Sequence, residues 1–308
     1  MNLGPKQVSF GVKTSQSSLG YDEILRVWKE ADEVGVVEHA WLWDHMVPLR
    51  GDLKGATLEA WTLLSALAAQ TRRLRLGVMV TSNRLRPPAL LAKMAATVDV
   101  VSGGRLVFGV GAGGSRVGDA QVVAGVRREY DAYGIDVVTP SEALGSLDEA
   151  CTIAKRLWAE AEPFDFDGRW YRLRGAICEP KPIQQPHPPI LIGAGGERTA
   201  LRIVAKHADI WNCPTRGDVD ELVRKSAALD AHCHSIGRDP REITRSVQVL
   251  VTTEEPGSSQ ARGPSAVREL LGELIAAGAS HLVLAPVPPL PPVHWLADEI
   301  IEPVLAQL

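Results

Sequence analysis

The sequence predicts an α/β protein folded as a (β/α)8 TIM barrel with insertions after the fourth strand. Strand-like and helix-like segments alternate along the whole chain, and eight such units can be counted. No linker-like break interrupts the 308 residues, and apolar residues make up 45% of them, enough for a barrel core. We therefore interpret residues 1–308 as one domain.

The first four units follow the periodicities expected of strands and helices. The predicted strands are QVSFGVK, HAWLW, RLRLGVMV and RLVFGVG, and the predicted helices are YDEILRVWKEADEVG, TLEAWTLLSALAAQT and PPALLAKMAATVDVVSGG. Thr57 is expected to be the N-cap of the second helix. Alternation places four residues of the third strand on one face: Leu74, Leu76, Val78 and Val80. Helical spacing gives the third helix an apolar stripe: Leu90, Met94, Val98 and Val101.

The second half of the chain continues the alternation after a long insertion. The segment SRVGDAQVVAGVRREYDAYG shows no clean helical pattern directly after the fourth strand. A helix from Ser141 to Trp158 and a hairpin, FDFDGRWYRLRGA, are predicted next. The remaining strands are PILIGAGG, ADIWN, TRSVQVLVT and HLVLAP, and helices are expected in ERTALRIVAKHA, around Asp218 to Ser235, before HLVLAP, and near Trp295 to Leu305.

Composition excludes several classes of protein. The net charge of −4 offers no basic surface for nucleic acid. The first residues lack a signal-peptide pattern, and no apolar run approaches the roughly 20 residues of a membrane helix. Four scattered cysteines without a C-x-x-C pair indicate neither a disulfide framework nor a zinc site. We expect a reduced cytoplasmic enzyme with a small-molecule substrate and neither a nucleic-acid nor a membrane partner.

Glycines at the fourth strand raise a second interpretation. Gly109, Gly111 and Gly114 spell G-x-G-x-x-G, the dinucleotide-binding fingerprint. That motif belongs to the first strand of a Rossmann domain and opens directly into a helix, which this sequence does not show. In a barrel, Gly109 and Gly111 instead allow a flat ligand or a neighbouring backbone to come close, or serve barrel packing alone. Gly113 and Gly114 then allow a tight loop with positive φ.

Polar residues follow two other strands, where the active sites of barrels lie. Asp44 and His45 come just after the second strand, and histidine is suited to proton transfer near neutral pH. The alternative is a pair that only stabilises a loop. Gly195 and Gly196 follow the fifth strand and precede a helix, an arrangement that binds phosphate or serves as an ordinary turn. Residues 232–234 (His-Cys-His) are expected to be polar helix positions, and we predict no metal site.

These segments together resemble the bacterial luciferase-like family of flavin and deazaflavin oxidoreductases. The resemblance rests on WLWDHMVP, on the block LRLGVMVTSNRLRPPALLAKMAATVDVVSGGRLVFGVGAGG, and on EPKPIQQPHPPILIGAGGERTALRIVAKHADIWN. It covers most of residues 41–212. The amino-acid sequences of these blocks are most similar to those of members that use coenzyme F420, a deazaflavin.

The resemblance implies where the ring of the cofactor lies. Asp44 and His45 would flank it, with His45 handling a proton or hydrogen-bonding the substrate. Met79 and Val80 occupy the position at which the family often has a cis peptide behind the ring. Val80 and Thr81 would contact the ring edge.

The resemblance also implies the binding site for the rest of the cofactor. Ala112 and Gly113 would lie along the ribityl chain. Four residues would meet the phosphate, partly through backbone N–H groups: Gly195, Gly196, Glu197 and Arg198. Gly114 stands where family members often have a bulky aromatic or an acid, so a wider pocket over the ring is expected.

The favoured function is hydride transfer between F420 and an unidentified small organic substrate. One alternative is an FMN-dependent monooxygenase on the same barrel. The other is a cofactor-binding barrel without catalytic activity. The family resemblance also implies a homodimer.

Overall fold

The computed structural model describes residues 8–52, 54–113, 120–215, 217–255 and 261–308. Gly114, the departure from the family pattern, lies outside these ranges. The strands are β1 (Ser9–Lys13), β2 (His39–Leu42), β3 (Arg75–Val78), β4 (Thr81–Ser82), β5 (Leu106–Gly111), β6 (Phe164–Asp167), β7 (Arg172–Ala176), β8 (Ile190–Gly193), β9 (Ile210–Cys213), β10 (Thr244–Val251) and β11 (His281–Pro286).

The predicted barrel is confirmed. Around it the strands run β3-β2-β1-β11-β10-β9-β8-β5, every pairing is parallel, and a β3–β5 pairing closes the sheet. The short strand β4 continues the third barrel strand alongside β5. The predicted hairpin is also present, as the antiparallel pair β6–β7.

Helices surround the barrel in the order that the sequence predicts, with one addition. They are α1 (Tyr21–Glu33), α2 (Ala60–Gln70), α3 (Pro88–Val101), α4 (Ala120–Ala132), α5 (Pro140–Ala159), α6 (Ala200–His207), α7 (Val219–Ser235), α8 (Pro264–Ala276), α9 (Val293–Leu296) and α10 (Glu302–Leu305). A short 3-10 helix (Pro240–Glu242) precedes β10, and a π-helical segment (Ala297–Ile301) joins α9 to α10. None of the helices in the described ranges has both the length and the apolar composition to cross a membrane.

The addition is α4, where the sequence pattern predicted no clean helix. Its buried residues, Gly125, Val126, Glu129 and Tyr130, recur at helical spacing, but two of them are polar or small and weaken the apolar signal. Gly125 lies against the loop after β2, where an added Cβ would come within 2.6 Å of the Leu49 carbonyl oxygen. This close packing fixes α4 beside the residues that follow β2.

The predicted N-cap of α2 is wrong, and the predicted apolar stripe of α3 is correct for only two of its four residues. The N-cap of α2 is Glu59, whose carboxylate accepts hydrogen bonds from the N–H groups of Trp61 (3.1 Å) and Thr62 (2.6 Å), and not Thr57. Of the expected apolar stripe of α3, Val98 is buried and Met94 packs against the core, whereas Leu90 is 52% exposed and Val101 is 48% exposed. The face of α3 that packs on the barrel carries mostly smaller residues, Leu91, Ala92, Ala95, Ala96 and Val98.

Val80 also departs from the expected alternation. Leu76 and Val78 face the large core between strands and helices, whereas Val80 packs with Met79 against the cluster inside the barrel. The change of face follows the Met79–Val80 peptide bond, which is cis as the family resemblance implies. Val80 therefore projects into the mouth of the barrel.

The glycines of β5 serve close approach within the protein. The Val78 carbonyl oxygen occupies the space that a Cβ on Gly109 would need. A Cβ on Gly111 would lie 2.8 Å from Val80 Cγ2. Of the two uses that the sequence left open for these positions, the structure shows packing against neighbouring protein atoms.

Candidate functional site

The predicted site residues lie at one end of the barrel. Asp44 and His45 follow β2, Gly113 follows β5, and Gly195 follows β8. Because all barrel strands are parallel, these carboxyl ends share one rim. Val80 lies between the ends of β5 and β8. Its methyl groups are close to the positions that an added Cβ would take on Gly111 and on Gly193.

Asp44 is buried and fully engaged by the protein. Its carboxylate accepts two hydrogen bonds from Arg86 (2.8 and 3.0 Å) and one from the N–H of Ser82 (3.3 Å). Burial raises the pKa of Asp44, and the bond from Arg86 opposes that effect. The paired guanidinium keeps the carboxylate ionised, so Asp44 holds the end of β4 against β2.

Glu59 completes this buried network. Its carboxylate pairs with Arg86 and also caps α2. Burial opposes ionisation of Glu59, but hydrogen bonds from Thr62 and Trp61 and the charge of Arg86 lower its pKa overall. Arg86 is therefore held between two carboxylates, and the loops after β2 and β4 are tied together behind the site.

His45 is oriented by a glutamate that sequence reasoning missed. Its Nδ1 lies 2.9 Å from Glu129 Oε2 on α4, and the other carboxylate oxygen of Glu129 accepts from the N–H of Met46. The glutamate side chain is buried, whereas that of His45 is 24% exposed. A carboxylate only accepts, so Nδ1 carries the proton and, in the neutral ring, Nε2 is the proton acceptor.

Trp43 packs against His45 from the same strand end. The two rings meet edge to face with centroids 4.7 Å apart. Gln16 holds the tryptophan backbone through two hydrogen bonds, to its carbonyl oxygen (2.8 Å) and from its N–H (3.1 Å). The indole Nε1 is buried and has no hydrogen-bond partner among the residues that the structure describes, which leaves a donor beside His45.

Met79, Val80 and Thr81 have different surroundings although they are consecutive. Met79 is buried inside the barrel with Trp41 and Val107, and Val80 is partly buried at the mouth. Thr81 is fully buried, and its hydroxyl accepts a hydrogen bond from Trp61 Nε1 (2.9 Å). Of these three side chains, that of Val80 is the one placed at the mouth, so a ring contact from Thr81 would use its backbone.

Gly113 fits into a tight polar corner next to Ala112. Its φ is +80°, as expected for a glycine turn. An added Cβ would lie 2.6 Å from Ser82 Oγ and 2.7 Å from Tyr130 OH. The hydroxyls of Ser82 and Tyr130 are 3.0 Å apart, so the loop after β5 lies directly on β4 and α4.

The glycine turn after β8 has a lysine beside it. A Cβ on Gly195 would lie 3.2 Å from Lys225 Nζ and 2.9 Å from Pro214 Cγ. Lys225 belongs to α7, is buried, and pairs with Glu221 one turn earlier. A lysine ammonium therefore lies beside the turn at which the sequence predicts phosphate binding.

The other residues of this turn contact α7 or are exposed to solvent. Glu197 pairs with Arg224, and its carbonyl oxygen lies 2.8 Å from His232 Nε2. Arg198 and Gly196 are exposed. His232 thus has a structural partner in the turn, whereas the neighbouring Cys233 is buried in the core.

The residues that sequence reasoning missed lie on helices that only the fold brings to the rim. Glu129 is 84 positions from His45 in the sequence. Lys225 is about 30 positions from Gly195. The pair Glu129–Tyr130 on one face of REYDAYG was the available signal, because a polar residue on an otherwise buried face needs a partner.

A family comparison identifies the chain. The model of the luciferase-like monooxygenases matches residues 7–278. The protein belongs to this family. The resemblance stated from the sequence is thereby confirmed, and the Rossmann interpretation is wrong because the glycines lie in a closed barrel.

Curated relatives of this family member include two kinds of enzyme. A phthiodiolone/phenolphthiodiolone dimycocerosates ketoreductase of Mycobacterium sp. (strain JLS) is 32% identical over 201 residues, covering 64% of this chain and 49% of the relative. An F420-dependent glucose-6-phosphate dehydrogenase of Microbacterium testaceum (strain StLB037) is 30% identical over 246 residues, covering 79% and 68%. The chain thus spans about half the length of the ketoreductase.

Solved structures show the same fold at lower identity. An F420-dependent secondary alcohol dehydrogenase, in complex with an F420-acetone adduct, superposes with a TM-score of 0.78 at 17% identity, covering 97% of this chain and 99% of its own. The monooxygenase RslO1 from Streptomyces bottropensis has a TM-score of 0.75 at 20% identity, with coverages of 96% and 99%.

Proposed function

We propose that this luciferase-like protein transfers a hydride between coenzyme F420 and a small organic substrate. The observation that carries the proposal is the arrangement at the rim, where an oriented histidine and a glycine turn with an adjacent lysine face one barrel mouth. The 30% identity to an F420-dependent dehydrogenase over most of the chain supports F420 as the cofactor.

The residues present fit such a cofactor. Its phosphate-bearing tail would lie at the turn of Gly195 and Gly196, because a Cβ on Gly196 would meet only Ala200 Cβ, at 3.6 Å, and Lys225 Nζ borders Gly195. Its ring would lie at Val80, with Ala112 and Gly113 along the connecting chain. The Nε1 of Trp43, which is buried and without a partner in the described ranges, is a donor available to a ligand near His45.

The chain supplies orientation and proton handling for the reaction. When bound, the deazaflavin supplies the carbon that carries the hydride. His45 holds a proton on Nδ1 through Glu129 and uses Nε2 to take the proton of a substrate hydroxyl, or to return it when a carbonyl is reduced. The buried Asp44–Arg86–Glu59 network keeps the surrounding loops in place.

Cofactor titration tests the proposal. We expect the purified protein to quench F420 fluorescence on binding and to bind F420 more tightly than FMN. Lys225→Met should weaken F420 by about 10- to 100-fold, because a hydrogen bond to a charged group contributes about 1.5–3 kcal/mol. The measurement is the dissociation constant of each cofactor for the wild type and for the variant.

Two controls make the titration specific. Lys29→Met removes an exposed lysine from α1 and should leave F420 affinity unchanged. A deazaflavin that lacks the phosphate-bearing tail should bind the wild type and Lys225→Met equally. Tight FMN binding without F420 binding would overturn the choice of cofactor, and equal F420 affinity in Lys225→Met would overturn the phosphate site.

The FMN-dependent monooxygenase is the second candidate, because a monooxygenase structure superposes on nearly the whole chain. It predicts oxygen uptake with reduced FMN, whereas a deazaflavin avoids oxygen chemistry. An oxygen electrode with each reduced cofactor separates the two candidates. Single-turnover hydride transfer would likewise exclude a barrel without catalytic activity.

A homodimer is part of the proposal. The outward face of α3 exposes Leu90, Val100 and Val101, an apolar surface that a second copy would cover. Light scattering should give twice the chain mass of 33.2 kDa. Leu90→Glu should shift the protein towards the monomer, and a monomeric wild type would contradict the dimer.

A further inference from the structure

Lys13 is a charged residue inside the barrel that the proposed chemistry does not use. It ends β1, and its neighbours Phe10 and Val12 face the outer core. Gly11 faces inwards, because its Cβ position is occupied by the side chain of His39. Alternation therefore directs Lys13 into the barrel at the carboxyl end of β1.

Lys13 reaches across a whole strand to its partner. Its Nζ donates to Gln248 Oε1 at 2.9 Å, and Gln248 lies on β10. Strand β11 runs between β1 and β10, pairing Leu284 with Val12 and Val283 with Gln248. Val247 and Val249 pack outwards, so Gln248, like Lys13, faces the interior.

The ammonium of Lys13 has no carboxylate partner among the described residues. Burial lowers the pKa of Lys13 to about 8, and no charged neighbour contributes to that shift. The group therefore remains protonated at neutral pH. Lys13 is partly buried, and an ammonium that has lost part of its water without gaining a counter-charge is costly, so an anion beside it would offset that cost.

The position of Lys13 separates it from the proposed cofactor site. That site follows β2, β4, β5 and β8 around the rim, whereas Lys13 and Gln248 come from β1 and β10. Strands β9, β10, β11 and β1 form the other half of the barrel. The proposed cofactor site leaves this half of the barrel mouth to a substrate, and this half carries the Lys13 ammonium.

We propose that the substrate carries an oxyanionic group, a carboxylate or a phosphate, and that the Lys13 ammonium and the Gln248 carboxamide bind it in the barrel mouth. The reaction performed on that substrate rests on the proposed function. Charge-assisted hydrogen bonds from a lysine and an amide N–H suit either oxyanion. The group would fix the reactive end of the substrate relative to His45.

Binding of acetate, succinate and inorganic phosphate to the cofactor-free protein tests this site. Lysine side chains labelled with ¹³C at Cε report the binding by NMR, and the resonance missing from Lys13→Met identifies Lys13. We expect at least one probe to shift that resonance, and acetamide, which is uncharged, to leave it in place. Above pH 8 the affinity should fall by about tenfold per pH unit, because the ammonium loses its proton.

Two variants and a control make the result decisive. Lys13→Met and Gln248→Glu should each weaken binding of that probe at least about tenfold, the first by removing the charge and the second by neutralising it within the protein. The Gln248→Glu variant also raises the apparent pKa of Lys13, which shows that the pair is intact. Lys29→Met should bind the probe as the wild type does.

The outcomes separate this proposal from the cofactor proposal. Unchanged probe affinity in Lys13→Met, or no response of Lys13 to any of the three anions, would overturn the oxyanion site. Loss of F420 affinity in Lys13→Met would also overturn it, because the ammonium would then serve the cofactor. A wild type that binds the anions at Lys13 and fails to bind F420 would refute the proposed function alone.

Discussion

Replacing His45 with alanine should lower turnover by about 10²- to 10⁴-fold, the range for loss of a general acid or base. The side chain is partly exposed and bonds through Nδ1 to one carboxylate, so few packing contacts are lost. The free energy of unfolding should therefore change far less than the rate. The measurements are kcat and KM with F420 and urea unfolding of the same preparation.

Glu129→Gln isolates the positioning role of the glutamate. The amide keeps the size of the side chain and one oxygen, but its NH2 group donates towards Nδ1 of His45. The proton of the neutral ring then moves to Nε2, the atom that should accept from substrate. We expect kcat to fall by about 10²-fold or more with an altered ¹⁵N signature of the His45 ring, while the fold is retained.

The neighbouring carboxylate Asp131 provides the control for this pair. It lies on α4 but is exposed, so Asp131→Asn should change neither kcat nor the ring signature. Wild-type turnover in His45→Ala would make His45 structural. An unchanged tautomer in Glu129→Gln would mean that the carboxylate does not orient the ring.

The sequence predicted the barrel because alternation and chain order are local properties. Val107 and Gly109 fall on the inner face as their spacing requires, and the hairpin β6–β7 lies where the pattern predicts it. The predicted N-cap Thr57 failed for a reason that lies outside the local pattern. Glu59 caps α2 while pairing with Arg86, a residue 27 positions away.

The parts of the site that escaped prediction depend on tertiary contacts. Alternation could not place Val80, because a cis peptide turns the chain there. Lys13 could not be distinguished from a surface lysine, since its side chain bonds to Gln248, which lies 235 positions away. The family resemblance indicated the loops of the candidate site, whereas the contacts that orient His45 and place Lys225 beside Gly195 depend on the tertiary fold.

Two buried histidines at the amino end of the barrel have consequences for stability. His39 on β2 and His281 on β11 stack with ring centroids 3.9 Å apart and planes 8° apart. Trp41 Nε1 donates to Nδ1 of His39 at 2.7 Å. The Ser246 hydroxyl, which accepts a hydrogen bond from Asn212, lies 2.9 Å from Nδ1 of His281. Because an indole N–H only donates, Nδ1 of His39 is an acceptor and the His39 ring is neutral.

Acid should therefore destabilise the protein through this pair. Burial lowers the pKa of His281 to about 3 and that of His39 well below its ordinary value, with the neighbouring ring adding to the effect at His39. Because the unfolded chain binds protons from about pH 6.5 and the folded one does not, stability is lost as pH falls below 6.5 and keeps falling towards pH 3. At pH 5 the loss is about 2 kcal/mol for His281, since one pH unit corresponds to about 1.4 kcal/mol.

Urea unfolding at a series of pH values from 7.5 to 4.5 measures this loss. His281→Gln should unfold more easily at pH 7.5, because it disrupts a packed stack, yet it should lose about 2 kcal/mol less than the wild type between pH 7.5 and pH 5. Should that variant fold too poorly, His281→Phe keeps a flat ring against His39 and removes the same titration. His234→Gln, at an exposed position on α7, should follow the wild-type curve. Identical pH dependence in the wild type and both His281 variants would mean that the folded barrel accommodates a charged His281 in spite of its burial.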